Sequence, residues 1–340
     1  MIYRSKAPLR IGLAGGGTDV SPYSDLYGGA ILNATISLSA YASIEPTAEN
    51  KIFVQALDRN EMQIHELQNV LPIDGTLDLL KGVYNRIKQQ FKMPLQGFKL
   101  STFVDAPAGS GLGTSSTLVV AILGAFVEML KLPLGDYDIA HLAYEIERND
   151  LSLAGGRQDQ YAATFGGVNF MEFYENDKVI VNPLRIRPEY MHELENNLVL
   201  YFTSTSRESA TIIKEQVKNV NSKNEKSIDA MHQLKEQAKM MKEALLKGKL
   251  DEFGDILDFG FQQKRKMAAN ISNSSIEEIY DAAKKAGATG GKISGAGGGG
   301  FMIFYCPSNT NYAVKNELMK FGGEIKNYSF TKYGLTSWSI

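Results

Sequence analysis

The sequence predicts an α+β protein built as two lobes. Strand-like and helical segments follow one another in mixed order instead of a strict β-α repeat. The character of the chain also changes at residues 183–188 (PLRIRP), after which long charged helical stretches dominate. The first lobe is therefore expected over 1–190 and the second over 191–340.

Residues 2–13 read as a strand that runs into Gly15-Gly16-Gly17. Residues 30–44 mix β-branched, small and polar side chains, as a half-buried strand does. Residues 52–64 predict a hairpin turning at Asp58-Arg59-Asn60, and 77–91 a helix by apolar spacing. Residues 98–104 (FKLSTFV) mostly alternate and predict a strand, whereas 117–130 (TLVVAILGAFVEML) suits a buried helix. Residues 136–149 place Ile139, Leu142, Ala143 and Ile146 at helical spacing, and Gly166-Gly167-Val168 opens a strand pair. In the second half, 197–203 predicts a short strand, 208–246, 250–269 and 276–286 helices, and 301–305 a strand.

A chain of 340 residues with 44% hydrophobic content can bury a sizeable core. Its net charge of −2 provides no global attraction for nucleic acid or an acidic membrane surface. The single cysteine, Cys306, has no internal disulfide partner, which suits a reducing compartment. No run approaches the ~20 apolar residues of a membrane helix, and a cytoplasmic protein is expected. His65, His141, His192 and His232 are scattered without metal-ligand spacing.

The segment DAPAGSGLGTSS (105–116) lies between the strand of 98–104 and the helix of 117–130. At a helix start the first backbone N–H groups lack partners, and the aligned peptide dipoles add partial positive charge. Glycine admits close backbone approach, so a phosphate suits this place. Two phosphate motifs do not fit. A P-loop requires Lys after its last glycine, but Gly113 is followed by Thr114-Ser115. The spacing Gly109-x-Gly111-x-Gly113 also fails the dinucleotide fingerprint. Two further glycine loops, at 14–17 and 295–300, accompany this one.

Residues 107–115 follow P-x-x-x-G-L-G-S/T-S. With APLRIGLAGGGTDVSPY (7–23) and KISGAGGGGF (292–301), in that order and spacing, the whole chain resembles the GHMP kinases. The resemblance implies a ribosomal-S5-like first lobe, a ferredoxin-like second lobe and an active site between them. It implies ATP and Mg²⁺ as cofactors. ATP is expected on Pro107, Gly109, Ser110, Gly111, Leu112, Gly113, Thr114, Ser115 and Ser116, with Gly297 and Gly298 from the third loop. Ser115 and Glu147 align with metal ligands, Asp159 with the catalytic aspartate, and Arg10 with an arginine near the transferred phosphoryl group. Gly16, Gly17, Thr18 and Asp19 fall in the sugar motif, and Gly16-Gly17 replaces the Glu-His pair of galactokinase.

AGGGTD and YGGAILNATI (27–36) further resemble the branch acting on heptose 7-phosphates. This implies phosphorylation at the anomeric hydroxyl, to the 1,7-bisphosphate, for GDP-heptose synthesis. Gly260-Phe261 departs from a His-Trp pair of that branch. The alternatives are an L-fucose or uronic-acid 1-kinase, an ATP-dependent decarboxylase, or an inactive sugar sensor. Partners are then a sugar phosphate and ATP, with no nucleic acid or membrane, in a monomer or homodimer. A phosphorylated sugar requires a second anion site. Arg207, with Ser206 and Ser209 at a helix start, is one candidate; Arg157, Lys264 and Arg265 are others.

Overall fold

Apolar alternation along the chain resolves into two sheets in a computed structural model that describes residues 1–205 and 209–340. The first sheet opens with β1 (Tyr3–Ala14) and, after the short helix α1 (Tyr23–Tyr27), the long β2 (Gly29–Thr47). The expected hairpin forms as β3 (Lys51–Ala56) and β4 (Glu61–Glu66), joined by a 3₁₀ turn and a left-handed Asn60. Helix α2 (Asp78–Gln90) leads to β5 (Gly97–Val104), which pairs in parallel with β3 and antiparallel with β2. Helix α3 (Thr114–Leu130) is buried along most of its length. It begins at Thr114, not at 117, because Gly113 adopts the left-handed conformation (φ 78°) that closes the preceding turn.

Helix α4 (Asp136–Glu145) continues as a π turn over Ile146–Asp150, where Leu151 N–H donates to the Ile146 carbonyl at 3.0 Å. The expected regular helix over 136–149 thus widens at Glu147. Helix α5 (Gln158–Phe165) precedes the β6 (Val168–Phe173) and β7 (Val179–Pro183) pair, and β6 lies against the first half of β2.

Helix α6 (Pro188–Asn197) leads to β8 (Leu198–Phe202) in the second sheet. The expected helix over 208–246 is two, α7 (Ser209–Asn221) and α8 (Glu225–Lys247). They part where Lys223 is left-handed and Asn224 caps α8 by accepting from Ser227 N–H. Helices α9 (Phe253–Met267) and α10 (Ser274–Lys285) precede β9 (Gly290–Ile293) and β10 (Phe301–Tyr305). Helix α11 (Asn311–Leu318) and β11 (Glu324–Ile325) complete an antiparallel sheet ordered β11-β8-β10-β9.

The final strand, β12 (Thr336–Ser339), returns to the first sheet and pairs with β1. The sheets therefore divide within α6, near the expected 190/191 boundary, but 336–339 sit in the first lobe. The largest core cluster runs through both lobes, joining Leu9 and Ile11 to Leu257 and Ile303.

Helix α9 lies close against β9 because two glycines face each other. A Cβ on Gly254 would collide with Thr289 Oγ1, and one on Gly290 with the Gly254 carbonyl. Gly254→Ala should destabilise the fold by about 1–3 kcal/mol through overpacking. Urea unfolding measures this, and a parent-like midpoint would show that α9 can move off the sheet freely.

Candidate active site

Arg10 gathers three separate parts of the chain. It is a buried residue of β1, beside a break in the β1–β2 register between Pro8 and Arg10. Its Nε and Nη2 each lie 2.7 Å from Asp159 Oδ1, and its Nη1 donates to the Gly111 carbonyl at 2.6 Å. Asp159 sits in the first turn of α5 and faces the second glycine loop; a Cβ on Gly113 would come within 3.1 Å of its Cγ. Around this junction lies a cavity of about 280 Å³. Arg10, Gly17, Asp19, Gly109, Gly111, Gly113, Thr114, Ser115, Ser116, Glu147 and Asp159 all line it.

Asp19 holds the start of α5. Its Oδ2 accepts from the Arg157 and Gln158 N–H groups at 2.9 and 3.0 Å, and a Cβ on Gly156 would collide with that oxygen. Its Oδ1 has no hydrogen-bond partner among the described residues. Burial raises the Asp19 pKa from its ordinary value; the Gln158 and Arg157 amides oppose this and nearby Asp159 adds to it.

Glu147 is 1% exposed, on the π turn. Its Oε1 accepts from Ser115 Oγ at 3.0 Å and its Oε2 from Gln160 Nε2 at 2.5 Å. Gln160 Nε2 also donates to Ser116 Oγ at 3.1 Å. The cationic group closest to Glu147 among the described residues is Arg148, Nη1 to Oε1 at 3.8 Å. A buried carboxylate with two polar donors and a guanidinium no nearer than 3.8 Å, beside a hydroxyl on a cavity wall, suits a hard divalent ion.

Several expected contacts serve the fold instead. Pro107, Ser110 and Leu112 do not line the cavity: the Pro107 carbonyl accepts from Ser110 N–H, and Leu112 is buried in the core. Gly297 and Gly298 pack on Ile271, whose carbonyl takes the Gly298 N–H. Gly295 and Ala296 line the cavity from that loop in their place. Ser294 Oγ donates to the Gly111 carbonyl at 2.7 Å, and Phe301 N–H to the Ser110 carbonyl at 2.8 Å, so the third loop braces the second.

Thr18 Oγ1 lies between the Gly15 and Ala30 carbonyls and accepts from Ala30 N–H, which removes it from substrate contact. Gly16 borders the site: a Cβ there would stand 3.6 Å from Lys264 Nζ. Gly260, where the resembled branch has a bulkier residue, leaves room for Gln237, whose Oε1 accepts from Gly15 N–H at 3.1 Å.

The Arg157 guanidinium turns away from the cavity. It pairs with Asp25 at 2.7 Å and Asp177 at 3.2 Å, and donates to the Tyr174 carbonyl at 2.7 Å. With its charge met there, it is not an anion receptor for this cavity. Arg265 similarly pairs with Glu277 and lies over Phe261. Arg207, with Ser206, lies outside the described residues. Gln158 and residues 153–156, in the stretch that leads to Asp159, also line the site, and Gln160 braces Glu147.

Two buried lysines approach from the second lobe. Lys292 on β9 donates to the Gly12 carbonyl at 2.8 Å; burial, then Lys264 and Arg10, hold its pKa well below the usual lysine value. Lys264 on α9 donates to the Gly295 carbonyl and lines the cavity; burial, then Arg10, lower its pKa to about 8.

Arg157→Met should lower stability by roughly 2 kcal/mol, because Asp25 and Asp177 lose a buried partner. Urea unfolding would show this as a lower midpoint; an unchanged midpoint would return Arg157 to the list of groups free to meet a ligand.

Two family models match the chain, the GHMP kinases N terminal domain over residues 78–167 and the GHMP kinases C terminal over 241–324. The chain is 48% identical to a D-glycero-alpha-D-manno-heptose 7-phosphate kinase of Campylobacter jejuni, over 99% of both chains. It superimposes with a TM-score of 0.86 on the crystal structure of a D-glycero-D-manno-heptose 1-phosphate kinase from Bacteroides thetaiotaomicron, 47% identical, over 99% of each. It is also 28% identical, over 87% of its own length, to 34% of an L-fucokinase/L-fucose-1-P guanylyltransferase of Bacteroides fragilis.

Proposed function

Because the chain belongs to the GHMP kinases, we propose that it transfers the γ-phosphoryl group of ATP to the anomeric hydroxyl of a D-glycero-D-manno-heptose 7-phosphate. It is an ATP-dependent phosphotransferase acting on a sugar. The observation that carries the heptose assignment is the full-length similarity to a heptose 7-phosphate kinase. The product would be the 1,7-bisphosphate, a precursor suited to GDP-heptose synthesis. Among the described residues, no helix is long and apolar enough to cross a membrane. The use of ATP and the buried free thiol of Cys306 support a cytoplasmic setting.

The site geometry supports direct in-line transfer. The acceptor hydroxyl gives its proton to Asp159 as its oxygen forms a bond to the γ-phosphorus. The bond from that phosphorus to the β,γ-bridging oxygen breaks, and ADP leaves. Arg10 orients Asp159 through its 2.7 Å contacts and lies beside the charge that develops on the phosphoryl oxygens. The N–H groups at the start of α3 lack helical partners and would receive the polyphosphate. Asp19 Oδ1 is placed to accept a sugar hydroxyl while its Oδ2 steadies α5.

Ser115 Oγ and the Glu147 carboxylate would hold Mg²⁺, with phosphate oxygens and water completing its shell. When bound, the ion neutralises charge on the β- and γ-phosphates. Gln160 fixes the Glu147 carboxylate through its 2.5 Å contact, so one oxygen stays turned toward Ser115.

The two heptose relatives differ in the phosphate position their names carry, and the similarity to part of a fucokinase supports a second reading as an L-fucose 1-kinase. A coupled ADP-release assay with heptose 7-phosphate, heptose 1-phosphate, L-fucose, galactose and mevalonate separates these. Turnover is expected with heptose 7-phosphate, and a preference for any of the others would overturn the assignment.

Asp159→Asn should lower kcat by about 10²–10⁴-fold while calorimetry still detects nucleotide; a near-parent rate would remove Asp159 as the base. Glu147→Gln should raise the Mg²⁺ concentration needed for half-maximal nucleotide binding. Titration of nucleotide affinity against Mg²⁺ reads this, and an unchanged requirement would place the ion elsewhere.

A further inference from the structure

Lys264 is the buried cation of the cavity that the reaction above does not use. Its α9 backbone belongs to the second lobe, yet its Nζ lies among first-lobe groups. It is 3% exposed, and no carboxylate comes within ion-pair distance of it among the described residues. Among the described residues its one hydrogen bond runs to the Gly295 carbonyl. An ammonium buried with one neutral acceptor is poorly compensated, and its position beside a cavity suits an anionic guest.

Three cationic groups converge here. Arg10 faces Lys264 from β1 and Lys292 from β9, while the carboxylates of this wall are Asp19 and, on α5, Asp159. Asp159 is engaged by Arg10, and Asp19, which draws the Lys264 pKa upward, is held by the Arg157 and Gln158 amides. On the α8 side, Gln237 is neutral and donates to the Ile256 carbonyl.

The position also indicates which anion. Gly295, which accepts from Lys264, packs directly on Gly111: a Cβ on Gly295 would stand 2.7 Å from Gly111 Cα. The Gly111 carbonyl in turn accepts from Arg10. Lys264 therefore stands where the phosphate loop, Arg10 and Asp159 converge. The 7-phosphate of a heptose, by contrast, lies at the far end of its carbon chain from the reacting hydroxyl.

We propose that Lys264 is a catalytic residue whose ammonium donates to the phosphoryl oxygens during their passage from ATP to the sugar, acting together with Arg10. The inference rests on the phosphotransferase reading but not on the identity of the sugar. Lys264 keeps its proton throughout; the acceptor proton goes to Asp159, and the electron pair of the breaking bond leaves with ADP. Lys292 differs in role: bonded to Gly12, it pins one lobe to the other. Burial lowers the Lys264 pKa to about 8, so its contribution is present below that pH and is lost as the pH rises through it.

The test compares Lys264→Met and Lys264→Arg with the parent, using whichever acceptor the parent phosphorylates. Calorimetry with ADP and Mg²⁺ checks each variant's nucleotide site. The Met variant should lose about 100-fold in kcat, the scale of a removed transition-state donor, with both KM values close to the parent's. The Arg variant should recover much of kcat and carry the alkaline limb of its pH profile above the parent's limb near pH 8. A Met variant with raised KM for a phosphorylated acceptor and parent kcat would assign Lys264 to the acceptor's own phosphate and overturn the proposal. Parent-like kcat and pH profile in the Met variant, or loss of nucleotide uptake in both variants, would make it a structural contact and overturn it equally. A parent protein inactive on every sugar tested would instead count against the proposed function.

Discussion

One guanidinium holds the catalytic geometry together. Arg10 is buried in β1, yet it meets a carboxylate from α5 and a carbonyl from the loop before α3. Each partner compensates for charge that the fold has removed from water. The arrangement depends on an irregularity in the β1–β2 register next to Arg10, since a register shift re-aims side chains across a sheet. Because the same group touches both the proposed base and the proposed phosphate loop, the spacing between these two is set by bonds inside the protein. That is the preorganisation phosphoryl transfer requires.

The glycine loops solve a packing problem as much as a binding one. The sequence suggests ATP contacts from the second and third loops and sugar contacts from the first, whereas the structure uses the second and third unequally. The second loop faces the cavity. The third supplies only Gly295 and Ala296 to the cavity wall and otherwise supports the second. Its glycines permit backbone to lie directly on backbone, as at Gly111 and Gly295. Composition alone cannot distinguish a loop that receives a ligand from one that holds such a loop in place, because both require the absence of Cβ.

The legible and illegible parts of the site differ in physical kind. Ser115, Glu147 and Asp159 belong to motifs whose order and spacing survive in the sequence, and the cavity receives all three. The alternation of 98–104 and the apolar run after 117 likewise marked a strand and a buried helix. Arg157 reads in sequence as a free cation because its partners, Asp25 and Asp177, meet it only in the folded state. Gln160 carries no periodic or compositional signal; its importance comes from one contact with Glu147. The π turn was hidden because one extra residue in a helical turn leaves the preceding apolar spacing intact.

The pairing of β12 with β1 has a consequence for how the molecule is made. During translation β1 is made before the rest of its sheet, and its outer edge stays unpaired until residues 336–339 emerge. The strand that carries Arg10 thus gains its outer neighbour only after the second lobe has been made, and that edge of its sheet closes last. Such a long sequence separation slows folding and leaves a hydrogen-bonding edge open to other chains in the interval. A ribosome stalled late in the second lobe would hold a product with its second glycine loop already synthesised and the edge of its first strand still open.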